Sequence, residues 1–298
     1  MTLLDGQNAG AAGLRALLRE PHPVLAPGAY DTLSARLVEA AGFSAVYMTG
    51  FGTAASMLGR PDVGLLTMSE MVEHARLIVG SVTIPVIADA DTGYGNPISV
   101  IRTVHAFERA GVAGIHIEDQ VAPKKCGHME GKKVGPAEEM VQKVRAAAAA
   151  RTSDDFVIIA RTDARAEHGI DEAIRRARLY REAGADVIFV EAPQSDDEVA
   201  AVARAFPDVP LLFNWAEGGK TPPVELSRLT ELGFRLVICP ISTLLAATKA
   251  VREVLRQIKV DGSPIHAVDD LPPFGEFLDF IGLPEVRQLE QEYSDGAR

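Results

Sequence analysis

One phrase recurs four times along the chain: AAGFSAVYM from Ala40, RAGVAGIHI from Arg109, EAGADVIFV from Glu182 and ELGFRLVIC from Glu231. Each runs from a helix end through a glycine into an apolar stretch. Gly42, Gly111, Gly184 and Gly233 stand where a left-handed residue closes a helix, and the runs after them suit strands covered on both faces. VLAPGAY, IPVIADAD, FVIIART and VPLLFN supply four more strand candidates between the junctions. Helix starts are read at Ser69, Pro136 and Asp171, ahead of amphipathic segments. Eight strands alternating with helices predict an α/β fold, a (β/α)8 barrel rather than an open doubly wound sheet. No GxGxxG follows the first strand, which removes a dinucleotide-binding fold.

The length of 298 residues, 47% of them hydrophobic, suits one barrel. The rhythm covers residues 1–262. Residues 263–298 then read as a C-terminal helical extension of the same domain, and Phe274, Phe277, Leu278, Phe280 and Ile281 give it more apolar surface than a solvated tail carries. It is expected to pack on a neighbouring subunit, with its own barrel as the alternative. A net charge of −11 argues against nucleic acid as a partner. No apolar run reaches the roughly 18 residues of a membrane span, and MTLLDGQNAG lacks the regions of a signal peptide, so a cytoplasmic protein without a membrane partner is expected. The two cysteines show neither a disulfide framework nor zinc spacing.

Chemistry in such a barrel sits at the C-terminal ends of the strands. The sequence delivers polar groups there: Tyr30 and Asp31, then Tyr47 and Thr49, then Asp89 and Asp91. His116, Glu118 and Asp119 follow, then Arg161 and Asp163, Glu191, Asn214 and Glu217. Carboxylates gathered in one mouth repel, and oxygen ligands with few histidines point to Mg²⁺, with Mn²⁺ as its substitute. Asp89 and Asp91 could instead cap the next helix. Arg161 could be a salt-bridge partner of these acids or a bidentate clamp on a substrate carboxylate. Cys239 reads as a small buried hydrophobe, and Met68 and Met71 as core. His74, His105 and His168 are assigned no chemistry, and the basic RRAR around Arg175 reads as a solvated helix face.

The stretch APKKCGHMEGKKV, residues 122–134, follows the fourth strand and is long enough to fold over the mouth as a lid, with Gly127 and Gly131 as bends. Lys124, Lys125 and His128 surround Cys126 with positive charge, which predicts a lowered thiol pKa.

DADTGYGN, HIEDQ, PKKCGH, IIARTDA and NWAEGGKTP, in this order, resemble the isocitrate lyase and phosphoenolpyruvate mutase superfamily over residues 24 to 260. The resemblance implies a Mg²⁺-dependent (β/α)8 barrel whose last helix is exchanged between paired subunits, in a homotetramer of helix-swapped dimers. Members that break carbon-carbon bonds of 2-hydroxy acids carry the K-[KR]-C-G-H loop seen here. The implied reaction deprotonates the C2 hydroxyl of a small carboxylate substrate, breaks the bond to C3 and returns a proton to the departing carbanion. Cys126 would be the general acid, with Tyr47, His128 and Lys124 as catalytic companions. Asp89, Asp91 and Glu118 would hold the metal. Thr49, Gly50, Arg161, Asn214 and Glu217 would contact substrate, with Asp62, His116, Gly127 and Glu191 beside them.

VYMTGFGTAASMLGRPDVGLLTMSEM, KKCGHMEGK and EGGKTP resemble the branch that cleaves 2,3-dimethylmalate to pyruvate and propionate. They also resemble the carboxyphosphonoenolpyruvate phosphonomutases, with methylisocitrate cleavage and oxaloacetate hydrolysis as further alternatives. Tricarboxylate-cleaving members use an arginine in a P-L-S-x-F-R segment; here the stretch is PISTLL, which puts Leu245 at that position and predicts an apolar wall suited to alkyl branches. Trp215 after Asn214 is expected to narrow the pocket, which would suit oxaloacetate. A barrel that only binds a metabolite would have lost a metal carboxylate or Cys126, and neither is lost.

Overall fold

A computed structural model describes residues 8–294. Residues 1–7, which hold most of the stretch read for a signal peptide, and 295–298, the end of the expected extension, lie outside the described residues. Eight strands close a parallel barrel in chain order. They are β1 (Val24–Ala29), β2 (Val46–Met48), β3 (Val86–Asp89), β4 (Gly114–Glu118), β5 (Val157–Thr162), β6 (Val187–Val190), β7 (Leu211–Asn214) and β8 (Leu236–Cys239). The expected (β/α)8 architecture is present.

Period-two alternation sorts each strand into an inner and an outer row. Val24, Ala26, Tyr47, Ile87, Ile159, Phe189, Leu212 and Ile238 fill the barrel, and Leu14 and Leu18 of the N-terminal helix Gly10–Arg19 join the same cluster. Val46, Met48, Ile115, Ile158, Ile188 and Val237 face outward into the larger core shared with the surrounding helices. The helix closures repeat as the junction phrase predicts: Gly42, Gly111, Gly184 and Gly233 have φ of 86°, 84°, 110° and 82°. Those values are nearly free for glycine and costly for other residues.

The helices begin where side chains can satisfy their first amides. Asp31 and Thr67 close capping boxes, with Ser34 and Glu70 respectively, and Asn96 caps a helix that has Pro97 in its first turn. Thr67, ahead of the expected Ser69, therefore opens the helix Met68–Val79. Met71 is buried, and the Met68 sulfur accepts from the Thr103 hydroxyl at 3.4 Å.

The chain divides into compact units at 8–244 and 245–294. The 20-residue helix Ser242–Asp261 ends beside the expected boundary at 262, whereas the second unit begins at Leu245. In that unit the helices Phe274–Phe280 and Leu283–Ser294 bury none of their residues, and Phe274 is 76% exposed. Among the described residues no helix is long and apolar enough to cross a membrane.

Candidate active site

The inner row of each strand, continued past the apolar layers, changes to polar residues at the C-terminal mouth. Tyr47 leads to Thr49, Ile87 to Asp89, His116 to Glu118, Ile159 to Arg161, Phe189 to Glu191 and Leu212 to Asn214. One parity thus delivers both the barrel filling and the site. Strand register sets the neighbours: Asp89 stands opposite His116, and Glu118 opposite Arg161. The resulting gaps are 3.4 Å from His116 Nε2 to Asp89 Oδ1 and 3.3 Å from Arg161 Nε to Glu118 Oε2.

Above these groups lies a cavity of about 210 Å³. Its lining includes Tyr47, Thr49, Asp62, Asp89, Glu118 and Arg161 from the barrel side, and Lys124, Cys126, Gly127 and His128 from the loop after β4. Glu191, Asn214 and Glu217 complete the expected set. Three predicted residues do not line it. His116 is fully buried beneath, bonded to the Tyr47 hydroxyl at 2.8 Å. Gly50 supports Asp89 from behind, since a Cβ there would come within 2.3 Å of Asp89 Oδ2. Asp91 is turned toward Lys124, its Oδ1 2.6 Å from the ammonium.

Carboxylates outnumber cations at this mouth, and burial sharpens the conflict. Burial pushes Asp91 up to about 7 despite the pull of Lys124, and holds Glu118 well above the usual carboxylate range. It also works against ionised Asp89, but attraction to His116, Lys124 and Arg161 outweighs it and brings that carboxyl down to about 2. Burial lowers His116 to about 4, so its imidazole is neutral at pH 7. Burial alone would lower Lys124, yet Asp89, Asp91, Glu118 and Asp62 hold its ammonium well above the usual lysine range. The Tyr47 phenol is raised by burial and then by Asp89, which keeps it a hydrogen-bond donor.

The buried Glu118 Oε1 has no hydrogen-bond partner, and Asp91 Oδ1 has only the Lys124 ammonium beside it. Unsatisfied acceptors of this kind are what a hard cation and its water shell would satisfy. Among the described residues no three acidic, imidazole or thiol groups converge tightly enough to ligate one ion directly. An all-oxygen set of buried carboxylates with Glu118 Oε1 left unpaired fits Mg²⁺, a hard cation that keeps several of its waters.

The loop between β4 and the helix Ala137–Ala150 folds over the cavity. Gln120 brackets Lys125, donating to its carbonyl at 2.8 Å and accepting from its amide at 3.0 Å. Lys124 donates to Asp62 Oδ2 at 2.7 Å, and the Cys126 amide donates to the Asp62 carbonyl at 3.2 Å. His128 Nδ1 accepts from the Lys220 amide at 3.1 Å, which places the imidazole proton on Nε2, 3.2 Å from Glu191 Oε1. The loop's positive charge does not lower the thiol. Burial is the larger effect, with Glu191 acting in the same direction, and it pushes Cys126 up to about 11. The lysine charge that was to act on the thiol is spent on carboxylates and carbonyls.

Two further expectations are corrected, on Trp215 and Arg176. Trp215 has the outward parity beside Asn214, is 41% exposed and does not line the cavity. Leu245 falls in the 245–294 unit; within the 8–244 unit the apolar lining of the cavity includes Ile238, Pro240 and Ile241. Arg176, read as part of a solvated face, is buried and donates to Asp119 Oδ2 at 3.2 Å and to the Gly135 carbonyl at 2.8 Å. Phe51 and Met129 also line the cavity unforeseen. Phe51 follows the expected TG turn directly, and that proximity was the available signal.

Comparison with known proteins follows the same lines. The family model described as phosphoenolpyruvate phosphomutase matches residues 14–259. A 2,3-dimethylmalate lyase from Eubacterium barkeri is 48% identical over 286 residues, covering 96% of this chain and 99% of the relative. A crystal structure of 2,3-dimethylmalate lyase, a member of the PEP mutase/isocitrate lyase superfamily, superposes with a TM-score of 0.90 at 42% identity, covering 95% of each chain. A phosphonopyruvate hydrolase solved in complex with oxalate and Mg²⁺ superposes with a TM-score of 0.87 at 35% identity, covering 98% of this chain and 99% of the other.

Proposed function

The chain belongs to the phosphoenolpyruvate phosphomutase family, and on that footing we propose that it is a carbon-carbon lyase that cleaves a branched 2-hydroxy dicarboxylate such as 2,3-dimethylmalate into pyruvate and propionate. The observation that carries this reading is Cys126, a thiol that burial keeps protonated, in the wall of a cavity also lined by Arg161, Glu191 and the apolar residues Ile238, Pro240 and Ile241. Those apolar residues suit alkyl branches; a third carboxylate would lose its water there without a partner. The 2,3-dimethylmalate lyase relatives support the same substrate.

In this account Arg161, the Asn214 amide and the Thr49 hydroxyl hold the substrate carboxylates in the mouth. Tyr47 donates a hydrogen bond and does not act as a base, because its phenol stays protonated. The C2 hydroxyl gives up its proton to the carboxylates facing the cavity, the bond from C2 to C3 breaks, and the electron pair left on C3 takes the Cys126 proton. A thiol raised to about 11 is a stable proton carrier at neutral pH and a willing donor to a much more basic carbanion. Lys124 and His128 fix the loop that carries it.

Asp89, Asp91 and Glu118 would hold Mg²⁺, or Mn²⁺, which when bound supplies positive charge for the oxygens of the developing 2-oxo acid. The related hydrolase solved with oxalate and Mg²⁺ supports the choice of metal. The exposed Phe274 and Phe277 support a subunit partner for the extension 263–298, within a homotetramer of helix-swapped dimers. The test is a coupled assay for pyruvate from 2,3-dimethylmalate with Mg²⁺, beside 2-methylisocitrate and oxaloacetate and repeated with EDTA. Release from dimethylmalate that EDTA abolishes supports the reading. Activity on one of the other acids alone overturns the substrate assignment.

A further inference from the structure

The middle of the loop 121–134 is fastened to the barrel largely through side chains, and one of them lies outside the machinery described so far. Lys132 stands on the returning limb of the loop, yet its side chain is only 3% exposed. Its ammonium donates to Asp163 Oδ1 at 2.6 Å and to the Gly127 carbonyl on the opposite limb. A buried ammonium needs such partners, because desolvation without them is expensive.

Asp163 is itself a fixed platform. Its amide donates to Asp119 Oδ1 at 2.9 Å, while Asp119 Oδ2 accepts from Thr162 at 2.7 Å and from Tyr180 at 2.8 Å. The same Asp163 carboxylate holds the Arg161 guanidinium in a fork, Nε to Oδ2 at 2.8 Å and Nη2 to Oδ1 at 3.0 Å. Lys132 and Arg161 therefore share one oxygen. Gly127, which Lys132 grips, packs so closely on the site that a Cβ there would come within 2.3 Å of Arg161 Nη2 and 1.9 Å of Glu191 Oε1.

We propose that Lys132 is a positioning residue that latches the loop over the cavity and, by sharing Asp163 with Arg161, ties loop closure to the guanidinium that holds a substrate carboxylate. The inference rests on the reading of Arg161 given above. With the loop away, Asp163 neutralises Arg161 alone. With the loop down, Lys132 takes part of that carboxylate's charge, and the guanidinium attracts a substrate anion more strongly. Carboxylate binding and closure then favour each other, as linkage requires.

The test uses the full-length protein without substrate and follows iodoacetamide alkylation of Cys126 and Cys239 separately by peptide mass spectrometry. Lys132→Met keeps the length of the side chain and removes its donors. It is expected to speed alkylation of Cys126 by about tenfold, leave Cys239 within about twofold, and lower kcat on 2,3-dimethylmalate by more than KM changes. Lys132→Arg is expected to restore slow alkylation. An unchanged Cys126 rate in Lys132→Met overturns the proposal, and so does an equal rise at both cysteines, which would make the lysine a support of the fold alone. Alkylation needs no substrate, so it fails or succeeds independently of the lyase reading.

Discussion

Lys124 Nζ lies 2.6 Å from Asp91 Oδ1, a buried ion pair at the edge of a cluster that holds more carboxylates than cations. The ammonium partly neutralises a cluster that it does not satisfy. Glu118 Oε1, buried and without a hydrogen-bond partner, marks where further positive charge is needed.

Titrating Mg²⁺ into EDTA-treated protein should therefore raise the melting temperature to a plateau. Linkage gives about 2.7 kcal/mol at a concentration 100-fold above Kd. Asp89→Asn should lose most of the gain. An absent shift in the wild type, or an undiminished one in the variant, would contradict the metal assignment.

The thiol of Cys126 has its own pH signature. Alkylation needs the thiolate, and a thiol raised to about 11 is almost wholly protonated at pH 8. Its reaction with iodoacetamide should run roughly 10²-fold slower than that of an ordinary cysteine with a pKa near 8.5. The rate should climb about tenfold per pH unit from 7 to 9.5. A plateau beginning near pH 8.5 would show that the loop's lysines govern the thiol after all. The acid form that the proposed general acid requires is present below about 11 and lost above it, so no alkaline limb from this group is expected near pH 8.5.

Gly127→Ala should be tolerated by the fold and damaging to the reaction. The added methyl meets Glu191 and Arg161, both held by barrel partners, so the loop has to move instead. Misplacing Cys126 by about an ångström costs on the order of 10²-fold in kcat. Thermal unfolding should shift little. A large loss of stability with retained turnover would place the glycine's role in folding.

Ile241→Ala tests the apolar wall. Losing the branched side chain should raise KM for 2,3-dimethylmalate by at least about tenfold, since even one methylene in a fitted pocket is worth about 1–3 kcal/mol. Oxaloacetate, which has no alkyl branch, should respond much less. Equal effects on both acids would mean that the wall does not read the branches.

The barrel was legible because its signals are local and repeated. Gly42, Gly111, Gly184 and Gly233 each close a helix at positive φ, and period-two rows continue from the apolar barrel filling into Asp89, Glu118, Arg161 and Glu191. The same parity, applied strictly, turns Trp215 outward, where its place next to Asn214 suggested the pocket. Cys126 was misjudged because composition shows neighbouring charges and not depth; burial decides the thiol, and the lysines are occupied elsewhere. Lys132 and Arg176 find their partners 31 and 57 residues away, at Asp163 and Asp119, and nothing in the flanking sequence announces either pairing. Loops are positioned by such distant contacts, so the motif was visible before its fastening was.

The central claim, that the Cys126 thiol protonates the departing carbanion, is tested most directly by measuring pyruvate and propionate from 2,3-dimethylmalate with Mg²⁺ for the wild type and for Cys126→Ser side by side. A hydroxyl is a far weaker acid than a thiol, and loss of a positioned general acid costs about 10²–10⁴-fold. The account predicts equal yields of the two products from the wild type, and a drop of that size in the variant with the Mg²⁺-induced thermal shift retained. A serine variant that turns over at the wild-type rate would contradict it.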